Sequence, residues 1–344
     1  CDLAARFGHR PVVVEDSPGF LVNHCGRGLV TEGLRILHEN VTGPAEVDAV
    51  MRDCAGFRMG PFELMDLTGL DVTYPATEQI YRQYFEEPRL RPTPLQQRRY
   101  TAGLYGRKTG EGFYRYENGE KILPAAPGWP AAGETPPFWV SHNCDPVLRE
   151  KLVRLLARAD CPMDGADKAG PDSIAVVLPL GWDVSTAAHH EGLDATRTVG
   201  VDILLELDRR VVVMTSPATA AGIVCAAREV LSRTGAAVTV IRDSAGFIAQ
   251  RIIATIVNIA CEIAQQGIAA PARMPPKSSA AKTMPTGCER PSSATVMASK
   301  PTVVLKVALT EWLMPRMLPA PARPDSRPAM LIVSITSRRG FMPA

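Results

Sequence analysis

Three polar side chains in the first third of the chain have types and surroundings suited to chemistry. Asn23 follows a Gly-Phe pair at the start of a long apolar-rich stretch, and Arg107 and Lys108 lie in a glycine-rich stretch. The Asn23 side-chain amide can donate and accept hydrogen bonds. Arg107 and Lys108 could pair with phosphate oxygens. The structural alternatives are an asparagine bonded to its own helix start and a solvated basic turn.

Metal and disulfide chemistry are not indicated by the cysteines and histidines. The chain has eight cysteines, and no two of them have CxxC spacing. His189 and His190 are adjacent, and neighbouring residues point to different sides of an element. We therefore predict no metal site, and we predict reduced thiols in a cytoplasmic protein.

Composition limits the classes of partner. The chain has 344 residues and 46% hydrophobic residues, enough for two domains with buried cores. Residues 272–344 carry eleven Lys/Arg against three acidic residues, so the remaining 271 residues are mildly acidic despite the net charge of +2. An acidic body argues against nucleic acid as the partner. The longest apolar run, Ile252 to Ile263, is too short to span a bilayer, so no membrane partner is expected.

An internal repeat organises the chain. Residues 1–23 align with residues 228–250 at an offset of 227, and the alignment places Gln250 at the position of Asn23. The second copy is preceded by its own α/β segment, roughly residues 138–226. The first copy should have an equivalent segment, so we expect the upstream part of a domain to be missing before Cys1.

The spacing of apolar residues and the positions of Gly and Pro predict the helices and strands. The predicted helices are 18–39, 44–54, 62–84 (one or two helices, broken near Tyr74-Pro75), 94–103, 146–158, 218–234 and 246–266. The predicted strands are 11–15, 138–141, 173–179, 210–215 and 237–242, with a glycine-rich turn and a short extended stretch at 106–116. The alternation after residue 138 is typical of an α/β segment with a parallel sheet.

Two stretches are predicted to lack regular structure. Residues 118–137 are rich in Pro, Gly and Ala and indicate a linker. Residues 272–344 contain eleven prolines and no sustained period, which indicates a disordered tail. A change of reading frame or a joined foreign sequence after Pro271 is the alternative explanation of the tail.

Three motifs, in this order along the chain, resemble the C-terminal helical domain of the 3-hydroxyacyl-CoA dehydrogenases. They are DSPGFLVN at 16–23, MGPFELMDLTGLD at 59–71 and YGRKTGEGFY at 105–114. The resemblance covers residues 1–117 and recurs in eroded form in 174–271. The two-copy layout is similar to the long bacterial members that act on 3-hydroxybutyryl-CoA or 3-hydroxyadipyl-CoA.

The resemblance implies a fold of the α plus α/β class with six parts. An all-helical dehydrogenase C-terminal domain is followed by a degenerate Rossmann-like α/β segment, one helix of a second helical copy and a disordered tail. The implied parts are 1–15, the end of a truncated Rossmann domain; 16–117, the helical domain; 118–137, the linker; 138–245, the degenerate segment; 246–271, the start of the second helical domain; and 272–344, the disordered or out-of-frame tail.

The resemblance also implies a function. The family oxidises L-3-hydroxyacyl-CoA to 3-ketoacyl-CoA, with NAD held at a glycine-rich turn and a His, oriented by a Glu, as base. These parts are expected upstream of Cys1, so the chain alone is expected to be inactive. Asn23 matches the family's active-site asparagine, which implies that its amide donates to the substrate oxygen or holds the His in position. In the second copy Asp202 replaces the His and Gln250 replaces the Asn. An ordinary carboxylate is a much weaker base than imidazole, so the second copy is expected to be inactive.

The implied partners are an acyl-CoA substrate and a second copy of the chain, since the family's helical domains commonly pair. One alternative is a non-catalytic module that dimerises or binds acyl-CoA without chemistry. The other is a different dehydrogenase with a helical C-terminal domain, such as a 3-hydroxyacid or sugar-acid enzyme, which the motifs at 59–71 and 106–114 disfavour.

Overall fold

The computed structural model describes residues 2–7, 12–123, 128–130, 135–269 and 333–335. These residues form two compact units, which are described separately: Cys1–Cys25 with Val257–Ala344, and Gly26–Ile256. The predicted domain boundaries are not tested by this division.

The smaller unit contains two strands that pair with each other. Helix α1 spans Asp2–Arg6 and strand β1 spans Val12–Val14; β1 pairs in parallel with β9, Val333–Ile335. The backbone N–H of Glu15 donates to the Ile268 carbonyl at 2.9 Å. Strand β9 lies inside the tail predicted to be mostly disordered, and that prediction stays a prediction. The rest of 272–344 lies outside the described residues.

The helical part carries five helices and a hairpin. Their bounds are α2, Val22–His38; α3, Pro44–Asp53; α4, Pro61–Thr68; α5, Leu70–Gln83; α6, Pro94–Thr101; β2, Arg115–Glu117; and β3, Glu120–Ile122. Proline occupies the first position of α3, α4 and α6, where its missing N–H costs no hydrogen bond. Helix α2 begins four residues later than predicted, because Gly19 and Phe20 have positive φ and form a turn first.

Two predictions for this part were wrong in detail. The break in 62–84 falls at Gly69, whose φ is 88°, and Pro75 lies inside α5. Glycine adopts this backbone geometry without steric cost, so it ends α4 and starts α5. Strand β3 pairs antiparallel with β2 and occupies the first residues of the predicted linker, because Asn118 and Gly119, both at positive φ, form a tight turn.

The α/β segment is built on a five-stranded sheet. Its elements are β4, Phe138–Val140; α7, Pro146–Arg158; β5, Ile174–Val177; α8, Val184–Glu191; β6, Thr198–Val201; β7, Arg210–Thr215; α9, Ala221–Ser232; β8, Ala237–Arg242; and α10, Ile248–Gln265. The strand order is β4-β5-β6-β7-β8. One face of this sheet, with α7 and α9, contributes the buried core that includes Phe138, Ile174, Leu152 and Val230.

The sheet is mixed rather than parallel throughout. The β4–β5, β5–β6 and β7–β8 pairs are parallel, but β6 pairs antiparallel with β7. A short connection at 202–209 links β6 to β7, and such a connection can only join antiparallel neighbours. Strand β6 and helix α8 were not among the predicted elements. The predicted class, a helical domain with an α/β segment, is confirmed.

Helix α10 is long and apolar, with 18 residues, a mean hydropathy of 1.2 and 44% of its length buried. Those values alone would allow it to cross a membrane. Its buried residues include Ile252, Ile253, Ile256, Ile259 and Ile263. Spacings of three and four residues place them on one face, as in a helix that packs against a protein core.

Candidate functional site

Asn23 lies in the first turn of α2 and its side chain is exposed. The turn before it is closed by a hydrogen bond from the Phe20 N–H to the Ser17 carbonyl at 2.9 Å, and the His24 N–H donates to the Gly19 carbonyl at 3.1 Å. The turn therefore sets the direction in which the helix leaves strand β1 and presents Asn23 at its start. The role predicted for Asn23 stays a prediction.

Arg107 and Lys108 lie side by side in a short 3-10 turn, and both are exposed. Lys108 Nζ is 2.7 Å from Asp71 Oδ1, and this pairing lowers the pKa of Asp71. The Arg107 guanidinium lies 5.7 Å from the centre of the Tyr116 ring. Exposed ion pairs contribute little to stability, so Lys108 can exchange Asp71 for another anion at low cost.

Asp66 fixes the backbone that carries this basic turn. Its carboxylate accepts the N–H groups of Phe113 and Tyr114, both at 2.9 Å, and the Tyr116 hydroxyl at 3.0 Å. Gly112 is required here, since a Cβ on it would lie 2.3 Å from Asp66 Oδ1. Asp66 therefore binds a segment 47 residues away from its own helix.

Asp48 is a second buried anchor, and it was missed in the sequence. Its carboxylate accepts the N–H groups of Phe62 and Glu63 at 2.9 Å, which caps the first turn of α4, and the Tyr114 hydroxyl at 2.6 Å. Burial raises the pKa of Asp48 to about 7, against the lowering effect of these hydrogen bonds. A single aspartate on a short helix carries no pattern that distinguishes this role.

Glu63 completes the capping of α4. Its carboxylate accepts the Gly60 N–H at 3.2 Å and pairs with Arg52 at 2.5 Å and with Lys121. Burial opposes ionisation, but hydrogen bonds from Lys121 and Arg52 hold the pKa of Glu63 below its usual range. A negative charge in the first turn of a helix also suits the helix dipole.

The second copy brings its two aligned positions together. Gln250 Nε2 donates to Asp202 Oδ1 at 3.0 Å, and Gln250 Oε1 accepts the Gly181 N–H at 3.0 Å. Asp202 is 5% exposed, and burial raises its pKa. The carboxyl is therefore enclosed and hydrogen-bonded within the protein, which suits a structural role.

The turn between β4 and α7 is the place where a dinucleotide pyrophosphate would meet this α/β segment. Residues 141–145 contain no glycine, and the Asp145 carboxylate accepts the N–H groups of Val147 and Leu148 at 2.9 and 3.2 Å. Those donors are the groups a pyrophosphate would use, and the carboxylate repels its charge. The residues of this turn do not fit NAD, so no hydride step is assigned to them.

A cavity of about 640 Å³ lies on the α/β segment near this turn. Its polar lining includes His142, Lys168, His190, Asp194 and Arg197. None of the predicted site residues Asn23, Arg107 and Lys108 lines it. Within the described ranges no group of three His, Cys, Asp or Glu side chains is arranged to hold a metal ion, and the six cysteines there are free thiols.

Comparisons with known proteins agree with these motifs. The model of the "3-hydroxyacyl-CoA dehydrogenase, C-terminal domain" family matches residues 19–116. The chain is 31% identical over 275 residues to 3-hydroxyadipyl-CoA dehydrogenase of Escherichia coli (strain K12), which covers 78% of this chain and 51% of that protein. It is 34% identical over 116 residues to the mitochondrial hydroxyacyl-coenzyme A dehydrogenase of Homo sapiens, which covers 34% of this chain and 37% of that protein.

A solved structure is also similar. The crystal structure of 3-hydroxybutyryl-CoA dehydrogenase from Escherichia coli K12 matches with a TM-score of 0.62 and 27% identity, covering 78% of this chain and 51% of that one. The chain thus spans about half the length of its E. coli relatives.

Proposed function

Because the family model of the 3-hydroxyacyl-CoA dehydrogenase C-terminal domain matches residues 19–116, we propose that this chain is the substrate-side part of such an oxidoreductase. The reaction would be oxidation of an L-3-hydroxyacyl-CoA to the 3-ketoacyl-CoA in β-oxidation-type breakdown of fatty or aromatic acids. The observation that carries the proposal is the family match over 19–116. Within this range Asp66 accepts the Tyr114 N–H and lies directly against Gly112.

The role proposed for each part of the enzyme depends on which group its residues could bind. The β4–α7 turn does not fit a pyrophosphate, so we assign NAD, and the His and Glu that handle the hydroxyl proton, to an α/β domain outside these 344 residues. Asn23 would hold the substrate oxygen or the His by its amide. Arg107 and Lys108 would meet the phosphates of CoA as exposed cations.

Two further parts of the proposal concern the oligomeric state and the cellular location of the protein. We propose a cytoplasmic protein that forms a homodimer through the helical domain, with neither nucleic acid nor a membrane as partner. Light scattering at micromolar concentration tests the dimer. A mass near twice 37.1 kDa is expected, and a mass of 37.1 kDa would contradict it.

The test of function uses the full chain and 3-hydroxybutyryl-CoA. Reduced NAD is followed by its absorbance, first with the chain alone and then with the NAD-binding domain of the E. coli relative added. We expect turnover only in the mixture, and we expect Asn23→Ala to reduce it by about 100-fold if the amide stabilises developing charge. Asn143→Ala, at an exposed site in the α/β segment, is the matched control.

Three results would change the assignment. Turnover by the chain alone would contradict the proposed inactivity of the second copy. Acyl-CoA binding in calorimetry without turnover in the mixture would favour the non-catalytic module. Turnover that Asn23→Ala leaves unchanged would remove Asn23 from the site.

A further inference from the structure

Helices α2 and α10 are the two copies of one repeated element, and they pack against each other within the larger unit. At the offset of 227, Leu29 is equivalent to Ile256. A Cβ on Gly28 would lie 3.0 Å from Ile256 Cγ1 and 3.1 Å from its Cα. The helices therefore cross at almost equivalent positions, as two identical subunits do across a twofold axis.

Arg251 supplies the charged contacts beside this crossing. Its guanidinium lies 2.8 Å from Glu32 Oε1, and the two side chains are only 14% and 7% exposed. It also binds Glu39 through two nitrogens, at 2.5 and 3.0 Å, and donates to the Ser244 hydroxyl at 2.8 Å. A planar guanidinium in this bidentate geometry is sensitive to the identity of its partners.

The repeat does not preserve these charges on both sides. The equivalent of Arg251 in the first copy is His24, and the equivalent of Glu32 in the second copy is Ile259. A pair of two α2 helices would set Glu32 against an imidazole, and a pair of two α10 helices would set Arg251 against an alkyl side chain. An imidazole offers Glu32 fewer donors than a guanidinium, and an alkyl side chain offers Arg251 no acceptor, so the unlike pair satisfies the two buried charges better than either like pair.

We infer that Arg251 and Glu32 direct α2 to α10 of the same chain, so that this face of α2 is closed to a second copy of the protein. The second copy thus has a use that needs no catalysis: it supplies the helix that covers the first. The homodimer proposed above must therefore use another surface of the helical domain, and this inference does not depend on the activity.

Charge reversal in the full chain tests the inference. Arg251→Glu places three carboxylates together, and we expect the melting temperature to fall by about 5 °C or more. Combining it with Glu32→Arg and Glu39→Arg restores opposite charges and should recover at least half of the loss. Arg154→Glu, in an exposed pair with Glu150, is the control and should change the melting temperature by less than about 1 °C.

Light scattering and mixing then separate pairing within a chain from pairing between chains. We expect the mass of every variant to equal that of the natural chain. If Arg251→Glu does not fold, recovery of folded protein by the triple reversal supports the inference. It is overturned if the triple reversal gives no recovery. It is also overturned if Arg251→Glu lowers the mass, or if it forms a mixed species with the Glu32→Arg/Glu39→Arg chain.

Discussion

Gln250 and Asp202 are 48 residues apart in sequence, and their side chains meet at 3.0 Å inside the second copy. The same amide group also accepts the Gly181 N–H, so it joins the start of α10 to the loop after β5. In this copy the two aligned positions are used to hold elements together.

We predict that Gln250→Ala destabilises the fold by about 2 kcal/mol, because Asp202 Oδ1 then keeps only the Leu204 N–H of its two donors and the Gly181 N–H loses its acceptor. Urea unfolding followed by circular dichroism measures the change. Gln97→Ala, at an exposed position of α6, should cost less than about 0.5 kcal/mol. Equal effects of the two substitutions would show that the Asp202 contact contributes nothing.

Asp48 should make stability depend on pH. Its pKa is about 7 in the folded protein and near 3.8 when unfolded, so the folded state binds the proton more tightly. The contribution of Asp48 to the free energy of unfolding is fully present below pH 4. It is lost as the pH rises to 7, by at most about 1.4 kcal/mol per pH unit.

Asp48→Asn cannot titrate, so we expect the difference in unfolding free energy between it and the natural chain to vary across pH 4–7. The comparison cancels the opposite contribution of Glu63, whose pKa is lowered. Urea unfolding at four pH values is the measurement. A constant difference would mean that Asp48 does not exchange a proton in this range.

Gly106 should tolerate substitution worse than Gly103, although both have positive φ. A Cβ on Gly106 would lie 2.4 Å from the Asp66 carbonyl oxygen, whereas a Cβ on Gly103 meets nothing within 4 Å. We expect about 1 kcal/mol of destabilisation for Gly103→Ala and about 3 kcal/mol for Gly106→Ala. Thermal unfolding of the two variants measures the destabilisation. An equal loss of stability in both would exclude the contact with the Asp66 carbonyl oxygen as the cause.

Arg107 and Lys108 should contribute to CoA binding if they meet its phosphates. Each substitution to Ala is expected to weaken binding of 3-hydroxybutyryl-CoA by about 1 to 2 kcal/mol, with the loss shrinking in 0.5 M salt. Calorimetry with the full chain measures it. Arg115→Ala, an exposed arginine on β2, is the control, and a uniform loss in all three variants would indicate a general charge effect.

The helices were predictable from local signals. Proline at the first turn and apolar residues at helical spacing located α3 and α7 to within one residue. The break at Gly69 was not located, because Pro75 is the stronger sequence signal, while the backbone freedom that the turn needs belongs to glycine.

Contacts between distant residues divided into two cases. The repeat aligned Gln250 with Asn23 and the family resemblance placed Asp202 at the position of the His, but the contact between Gln250 and Asp202 was not predicted. The contacts of Asp48 and Asp66 with Tyr114 have no periodic signature, because they depend on where a hairpin lies on two helices. Antiparallel pairing of β6 with β7 was missed because β6 itself was not predicted.

The glycine-rich segment and the hairpin after it are needed for the stability of the helices before them. Asp48 and Asp66 receive four of their hydrogen bonds from Phe113, Tyr114 and Tyr116. A gene fusion or truncation that replaced these residues would leave two buried carboxyls without those donors. A stable copy of this helical part is therefore expected to extend at least to Tyr116 on β2.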